Sequence, residues 1–237
     1  MSTVEDRQFV EHAKCLFPVE ILRGLRQYLD TIQEERLAAA PTEREKAAVQ
    51  RGETTDALRM DPRWFDAWRK PGAQLLKKVR PFTWVVFPPQ VRIVREVSHL
   101  VPWHQDIAYQ KNLGPRAHRQ VFTCFVPLDE DPARRTTLQF ALDRVSELRH
   151  APMEGFGAGL QQAKFSKVEH YELSLGDCLL FGDWAPHRTY VPPDANVERR
   201  SLEFRLIQPR DALKDKDYFD IESGYFVRAD GSKRVYP

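Results

Sequence analysis

The sequence predicts a mainly β fold, a two-sheet jelly roll buttressed by helices, on three observations. From Pro81 onward, short runs rich in Val, Phe, Leu and Thr are broken by Pro, Gly and Asp at intervals of about ten residues, the texture of antiparallel strands. Before that point apolar residues recur at helical spacing. The chain of 237 residues is long enough to bury one substantial core.

Over residues 4–38 the series Phe9, Ala13, Phe17, Ile21, Leu22, Leu25, Leu29 steps by three and four, which predicts helix, with Pro18 opening a second helix at its first position. Residues 39–60 are polar and alternate in charge, a solvated face without assigned chemistry. Asp61 and Pro62 have the form of an N-cap and first helical residue for a helix over 62–78 that turns Trp64, Trp68 and Leu75 inward. Strands are predicted at 83–87, 91–95, 101–106, 121–126, 137–140, 168–173, 178–181, 187–191 and 199–207. Residues 145–167, with Gly155, Gly157 and Gly159, interrupt that series and are expected to form a loop that orders over substrate. Asp230 and Gly231 predict a two-residue hairpin turn in the tail. The chain therefore divides into a helical part (1–80), a β core (81–207) and a C-terminal extension (208–237) of one domain.

Composition excludes several roles. Hydrophobic residues at 42% and charged residues at 30% suit a globular protein, and no apolar run reaches the roughly 20 residues of a membrane-spanning helix. The 36 basic and 34 acidic residues nearly balance and form no basic stripe, so nucleic acid is not an expected partner. The first ten residues lack a basic flank and an apolar core, which points to the cytoplasm rather than export. Cys15, Cys124 and Cys178 form no C-x-x-C pair and are expected to be small core residues.

Three elements carry chemistry. Trp103-His104-Gln105-Asp106 places an imidazole and a carboxylate two apart, on one face of an extended chain. The run 175–187, LGDCLLFGDWAPH, is a turn, an apolar strand, a second turn and a histidine, so a distant strand delivers His187 as a third ligand. Two His and one carboxylate on one side of an ion leave its other positions open, the arrangement of non-haem Fe(II) oxygenases, although zinc hydrolases use the same donors. The third element, Glu198-Arg199-Arg200-Ser201-Leu202-Glu203-Phe204-Arg205, brings an arginine back beside the metal. A guanidinium buried in a barrel requires a bidentate anion partner such as the distal carboxylate of 2-oxoglutarate.

Together, WHQD, LSLGDCLLFGDWAPHR and RRSLEFRL resemble the phytanoyl-CoA dioxygenase-like family of Fe(II)/2-oxoglutarate-dependent oxygenases, over roughly residues 82–207; FPVEILRGLRQYLD is similar to that family's N-terminal helix. The resemblance implies a cupin-like double-stranded β-helix that binds Fe(II) through His104, Asp106 and His187. It implies 2-oxoglutarate and dioxygen as co-substrates, with Arg199 holding 2-oxoglutarate and Arg200 as the competing assignment. It also implies oxidation, in most cases hydroxylation, of a small molecule, a natural product by family analogy. Halogenases of similar fold replace the ligand carboxylate by Ala or Gly, so Asp106 implies an oxygenase. The chain departs from the family after its central strand, where TTLQFALDRVSELRH replaces a Gly-rich segment, which puts substrate recognition in question. A metal-dependent hydrolase or isomerase on the same barrel and a non-catalytic binding module are the alternative readings.

Thr123, Phe125 and Gln139 are expected to face the barrel interior, where Thr123 or Gln139 would hydrogen-bond 2-oxoglutarate; Arg92 and Arg95 are further pocket candidates. Trp103 and Trp184 are expected to pack beside the ligands. His12, His99, His118, His150 and His170 are read as structural or solvated. The sequence leaves the oligomeric state and the substrate open.

Overall fold

The computed structural model describes residues 8–40, 42–43, 82–87, 89–97, 100–110, 121–145, 148, 150–153, 157–160, 164–212 and 216–234. The predicted helix over 62–78, His99 and His118 lie outside them. Strands in chain order are β1 (Val10–Ala13), β2 (Trp84–Phe87), β3 (Gln90–Val94), β4 (Val121–Pro127), β5 (Thr137–Ala141), β6 (Ala151–Met153), β7 (Gly157–Gly159), β8 (Val168–His170), β9 (Cys178–Gly182), β10 (His187–Tyr190), β11 (Arg199–Ile207), β12 (Asp217–Asp220), β13 (Tyr225–Arg228) and β14 (Lys233–Arg234). The helices are α1 (Val19–Ala39) and the one-turn α2 (Ile107–Gln110).

The strands make a large antiparallel sheet in the order β1-β9-β4-β11-β2-β12-β13-β14, with β3 also pairing β11, and a small sheet β10-β5-β8. Alternation along β4, β9 and β11 sends two sets of side chains to opposite faces of the large sheet. Cys124, Val126, Leu180, Leu202, Phe204 and Leu206 pack with Leu22, Leu25 and Leu29 of α1. Phe125, Leu179 and Phe181 face the small sheet, where Leu138 and Phe140 meet them. The small sheet thus closes over the inner face of the large one, and the fold is the predicted double-stranded β-helix with a helical buttress.

Helix α1 follows Pro18, whose φ of −62° and ψ of 127° keep it outside the helix as its cap. Leu22, Leu25, Leu29 and Gln33 form the buried stripe at spacings of three and four. Ala40 is extended (ψ 116°), as the residue before Pro41 must be. Two ion pairs pin the helix to the sheet, Arg26 to Asp129 at 2.5 Å and Arg200 Nε to Asp30 at 2.9 Å. Leu22, fully buried between α1 and the sheet, is expected on truncation to Ala to cost about 2–5 kcal/mol of unfolding free energy, measured by denaturant titration.

Several features differ from the sequence reading or add to it. Residues 10–13 are not helix but strand β1, paired with the edge of β9 from Val10↔Phe181 to Ala13↔Cys178. So short a run fits either period, and the open edge of β9 decides it. Cys15 is exposed, at a turn with φ 51°, while Cys124 and Cys178 are buried as expected. Residues 101–106 form no strand; a single bridge joins His104 to His187. The interrupting segment holds the paired strands β6 and β7. At the tail, β13 and β14 are joined by residues 229–231, a three-residue loop with Gly231 at φ +80°, the left-handed position such loops reserve for glycine. Within residues 217–234, β12 pairs β2 and so extends the large sheet.

Candidate metal centre and active site

Three buried side chains, His104, Asp106 and His187, each offer one ligand atom, all within 4.8 Å of one another. Their convergence follows from backbone pairing. His187 opens β10, and its N–H and C=O exchange two 2.9 Å hydrogen bonds with those of His104. The histidine rings are consequently neighbours, with centroids 4.2 Å apart. Asp106 sits in the turn leading into α2, and Ile107 N–H donates to Asp183 C=O at 3.1 Å, so the turn after β9 holds the turn after His104.

Each histidine is fixed through its Nδ1, which lies 2.8 Å from Pro102 C=O in His104 and 2.9 Å from Ala185 C=O in His187. A carbonyl only accepts, so both rings carry the proton on Nδ1 and present a bare Nε2. Asp106 Oδ1 lies 3.7 Å from Nε2 of His104 and 3.8 Å from Nε2 of His187. Burial, reinforced by the neighbouring His187, pushes His104 down to about 3, and burial lowers His187 as well. Burial alone would raise Asp106, but the Arg205 guanidinium and the two imidazoles outweigh it and hold the carboxyl below its usual range. Two neutral imidazoles and one carboxylate, deprotonated at neutral pH and aimed at one point, fit a divalent ion of the first transition row.

One result follows for calorimetry. Two ordinary histidines, with pKa near 6.5, would together release ~1.5 protons on binding a metal at pH 6. Because burial holds His104 at about 3 and lowers His187, Mn(II) binding at pH 6 is expected to release fewer protons than that, read from the dependence of binding enthalpy on buffer ionisation.

Around the triad the inner face of β11 presents Arg199, Ser201, Glu203 and Arg205, while Arg200, Leu202 and Phe204 turn toward α1. Arg199 is 1% exposed and lies over the Phe125 ring at 4.9 Å. Among the described residues one long hydrogen bond, to Thr137 C=O at 3.4 Å, reaches its guanidinium, and its Nε, like the hydroxyl of Ser201 on the same face, is buried without a partner. Burial draws its pKa down to about 10, so it stays charged at neutral pH. Arg200 instead pairs with Asp30 and Glu198 on the helix side. Arg92 stands opposite Ser201, on the inner side of β3. Arg95 pairs with Gln33 on α1.

Thr123 lies inward as expected and donates to Asp106 Oδ2 at 2.5 Å. Gln139 does not face the interior. It stands opposite Arg188, on the face away from His187 and Phe140, and accepts from Arg188 Nε at 2.8 Å. Leu138 and Phe140, the apolar alternates of β5, take the inward positions and leave Gln139 the other face. Trp103 is covered by the Arg188 guanidinium at 5.0 Å.

The sequence reading passed over Gln105, which is fully buried and joins three segments. Its amide donates to Trp184 C=O and accepts from Leu148 N–H, both at 2.7 Å, while its backbone N–H donates to His150 Nε2 at 2.9 Å. With Leu160 N–H bonded to Trp103 C=O at 2.7 Å, residues 148, 150 and 160 are stitched along the turn that carries His104 and Asp106. His12 is structural, bonded at 2.9 Å to Asp177, which also accepts from the N–H groups of Cys15 and Ser174. Gly176 beside it has φ +106°, and a Cβ there would lie 2.9 Å from Phe17 O, which explains the glycine of this turn. His170 packs against Tyr190.

The sequence matches no family model, and no curated protein matches it closely enough to count as a relative. Solved structures do match. The non-heme monooxygenase ThoJ in its apo form aligns with TM-score 0.63 at 15% identity over 88% of this chain and 78% of its own. EvdO2 from Micromonospora carbonacea var. aurantiaca aligns with TM-score 0.61 at 17% identity over 86% and 88%. EctD from S. alaskensis, crystallised with 2-oxoglutarate and 5-hydroxyectoine, aligns with TM-score 0.54 at 13% identity over 89% and 76%. At these identities the likeness is one of fold, a cupin-like β-helix. Among the described residues no helix is long and apolar enough to cross a membrane.

Proposed function

We propose that this chain is a non-haem Fe(II)- and 2-oxoglutarate-dependent oxygenase, of the phytanoyl-CoA dioxygenase-like kind, that oxidises a small molecule. One observation carries the reading. Within one barrel, the buried His104-Asp106-His187 cluster accompanies a fully buried arginine, Arg199, whose Nε has no hydrogen-bond partner among the described residues, with the unpartnered Ser201 hydroxyl on the same face of β11. Desolvating a guanidinium without an anion is costly, so the site is built for a ligand that supplies a carboxylate. The named neighbours support it as well, one being a non-heme monooxygenase and another a complex with 2-oxoglutarate.

With Fe(II) bound, 2-oxoglutarate and dioxygen would supply the oxidising chemistry, yielding succinate and carbon dioxide beside the oxidised product. The chain's residues bind and orient. His104 and His187, locked by their Nδ1 bonds, would give Nε2 donors, and Asp106 would offset the ion's charge. Arg199, with Ser201 beside it on the inner face of β11, would take the distal carboxylate of 2-oxoglutarate in a fork geometry that a lysine does not reproduce. Phe125 lies against the Arg199 guanidinium and Phe140 and Phe181 pack against His187, and the low polarity of these apolar rings strengthens each charged contact there.

The test is incubation of the protein with Fe(II), ascorbate and 2-oxoglutarate against candidate metabolites, followed by mass spectrometry. Succinate released in step with a product heavier by one oxygen, or lighter by two hydrogens, supports the reading. Turnover of a metabolite that proceeds equally well without 2-oxoglutarate would favour a hydrolase or isomerase on this barrel.

A further inference from the structure

Asp106 has two carboxylate oxygens, and the structure treats them differently. Oδ1 faces both histidine Nε2 atoms at 3.7 and 3.8 Å. Oδ2 turns away to Thr123 Oγ1 at 2.5 Å and to Arg205 Nη2 at 3.5 Å. Strand register sets this: Thr123 on β4 stands directly opposite Arg205 on β11, both on the inner face, so hydroxyl and guanidinium reach the same oxygen. Arg205 is itself held by Glu203 at 3.2 Å, and burial, which would lower its pKa, is outweighed by Asp106 and Glu203. A carboxylate with one oxygen so engaged has only the other to give.

The consequence is a coordination count. Six positions around the ion, less two histidines and one oxygen of Asp106, leave three, enough for a 2-oxo acid bound through two atoms and for dioxygen. A carboxylate that chelated through both oxygens would take a fourth position and leave too few. From this we infer that Arg205 is a positioning residue that, with Thr123, restricts Asp106 to one-oxygen coordination and so keeps open the position the 2-oxo acid needs. The inference rests on the metal and co-substrate reading above.

The inference predicts a sign opposite to that of a merely structural ion pair. Removing a cation 3.5 Å from the carboxylate makes Asp106 more attractive to a metal ion and frees Oδ2 to swing onto it. Arg205→Met should therefore bind Co(II) at least as tightly as the native protein, within about threefold, while the Co(II)-loaded variant loses about tenfold or more in affinity for 2-oxoglutarate. Its visible Co(II) spectrum should no longer respond to 2-oxoglutarate as the native one does. Arg205→Lys, which restores the charge, should recover most of both properties. Thr123→Val, which leaves the guanidinium in place, should move the same two affinities in the same direction by less, and it serves if Arg205→Met does not fold. Weakened Co(II) binding with unchanged 2-oxoglutarate affinity in the loaded variant, or no change in either, would overturn the inference. Failure of the native protein to bind Co(II) would overturn the metal-site reading, and the inference with it.

Discussion

Asp106→Ala is expected to lose more than about 100-fold in turnover, since even partners behind a metal ligand cost 10- to 100-fold when removed. The loss should appear first as metal affinity: the carboxylate is the one anionic donor of the triad, and without it two neutral imidazoles hold a dication whose charge nothing in the triad offsets. The variant also leaves Arg205 with Glu203 alone as its acidic partner. Because Asp106 would, on the proposed reading, fill the coordination position that a halogenase would leave to chloride, the native protein should give no chlorinated product at high salt. A chlorinated product from the native protein, or full turnover by Asp106→Ala without added carboxylate, would refute both the ligand assignment and the reaction class.

Arg199→Ala is expected to weaken 2-oxoglutarate binding to the Mn(II)-loaded protein by roughly 30- to 150-fold, the equivalent of 2–3 kcal/mol for a charged hydrogen-bonded pair. Arg200→Ala should change that affinity by less than about threefold, since its guanidinium lies against Asp30 and Glu198 on the helix side of the sheet. The two variants differ by one position on one strand, so the comparison tests the face and not the neighbourhood. Equal losses in both, or a loss confined to Arg200→Ala, would mean that the anion is held from the other side of β11.

That face was legible in the sequence. Leu202 and Phe204 alternate with Ser201, Glu203 and Arg205, and a period of two separates a helix-packed side from a pocket side once a charged partner is required within. The spacing of the triad was legible too, because its histidines stand within apolar and turn-forming runs. The geometry that joins them was not. His104 and Asp106 converge through one bridge and a turn, because the chain leaves the sheet at Gln105 to hold Trp184 and Leu148. The opposition of Thr123 and Arg205 depends on the register between β4 and β11, which the whole sheet decides and neither strand specifies alone. That Arg199 Nε and the Ser201 hydroxyl lie buried without a partner among the described residues depends on where the surrounding strands pack, which β11 alone does not specify.

The reciprocal hydrogen bonds between His104 and His187 also bear on what a bound metal would do for stability. Residues far apart in the chain meet in that bridge, so closing the intervening loop carries an entropic cost that a metal, holding both imidazoles at once, helps to offset. An unfolded chain offers the ion no such pair, and binding restricted to the native state raises the melting temperature in proportion to the logarithm of free metal. A metal at this site would tie the residues around His104 to β10, and the protein without it would be more easily opened at that join.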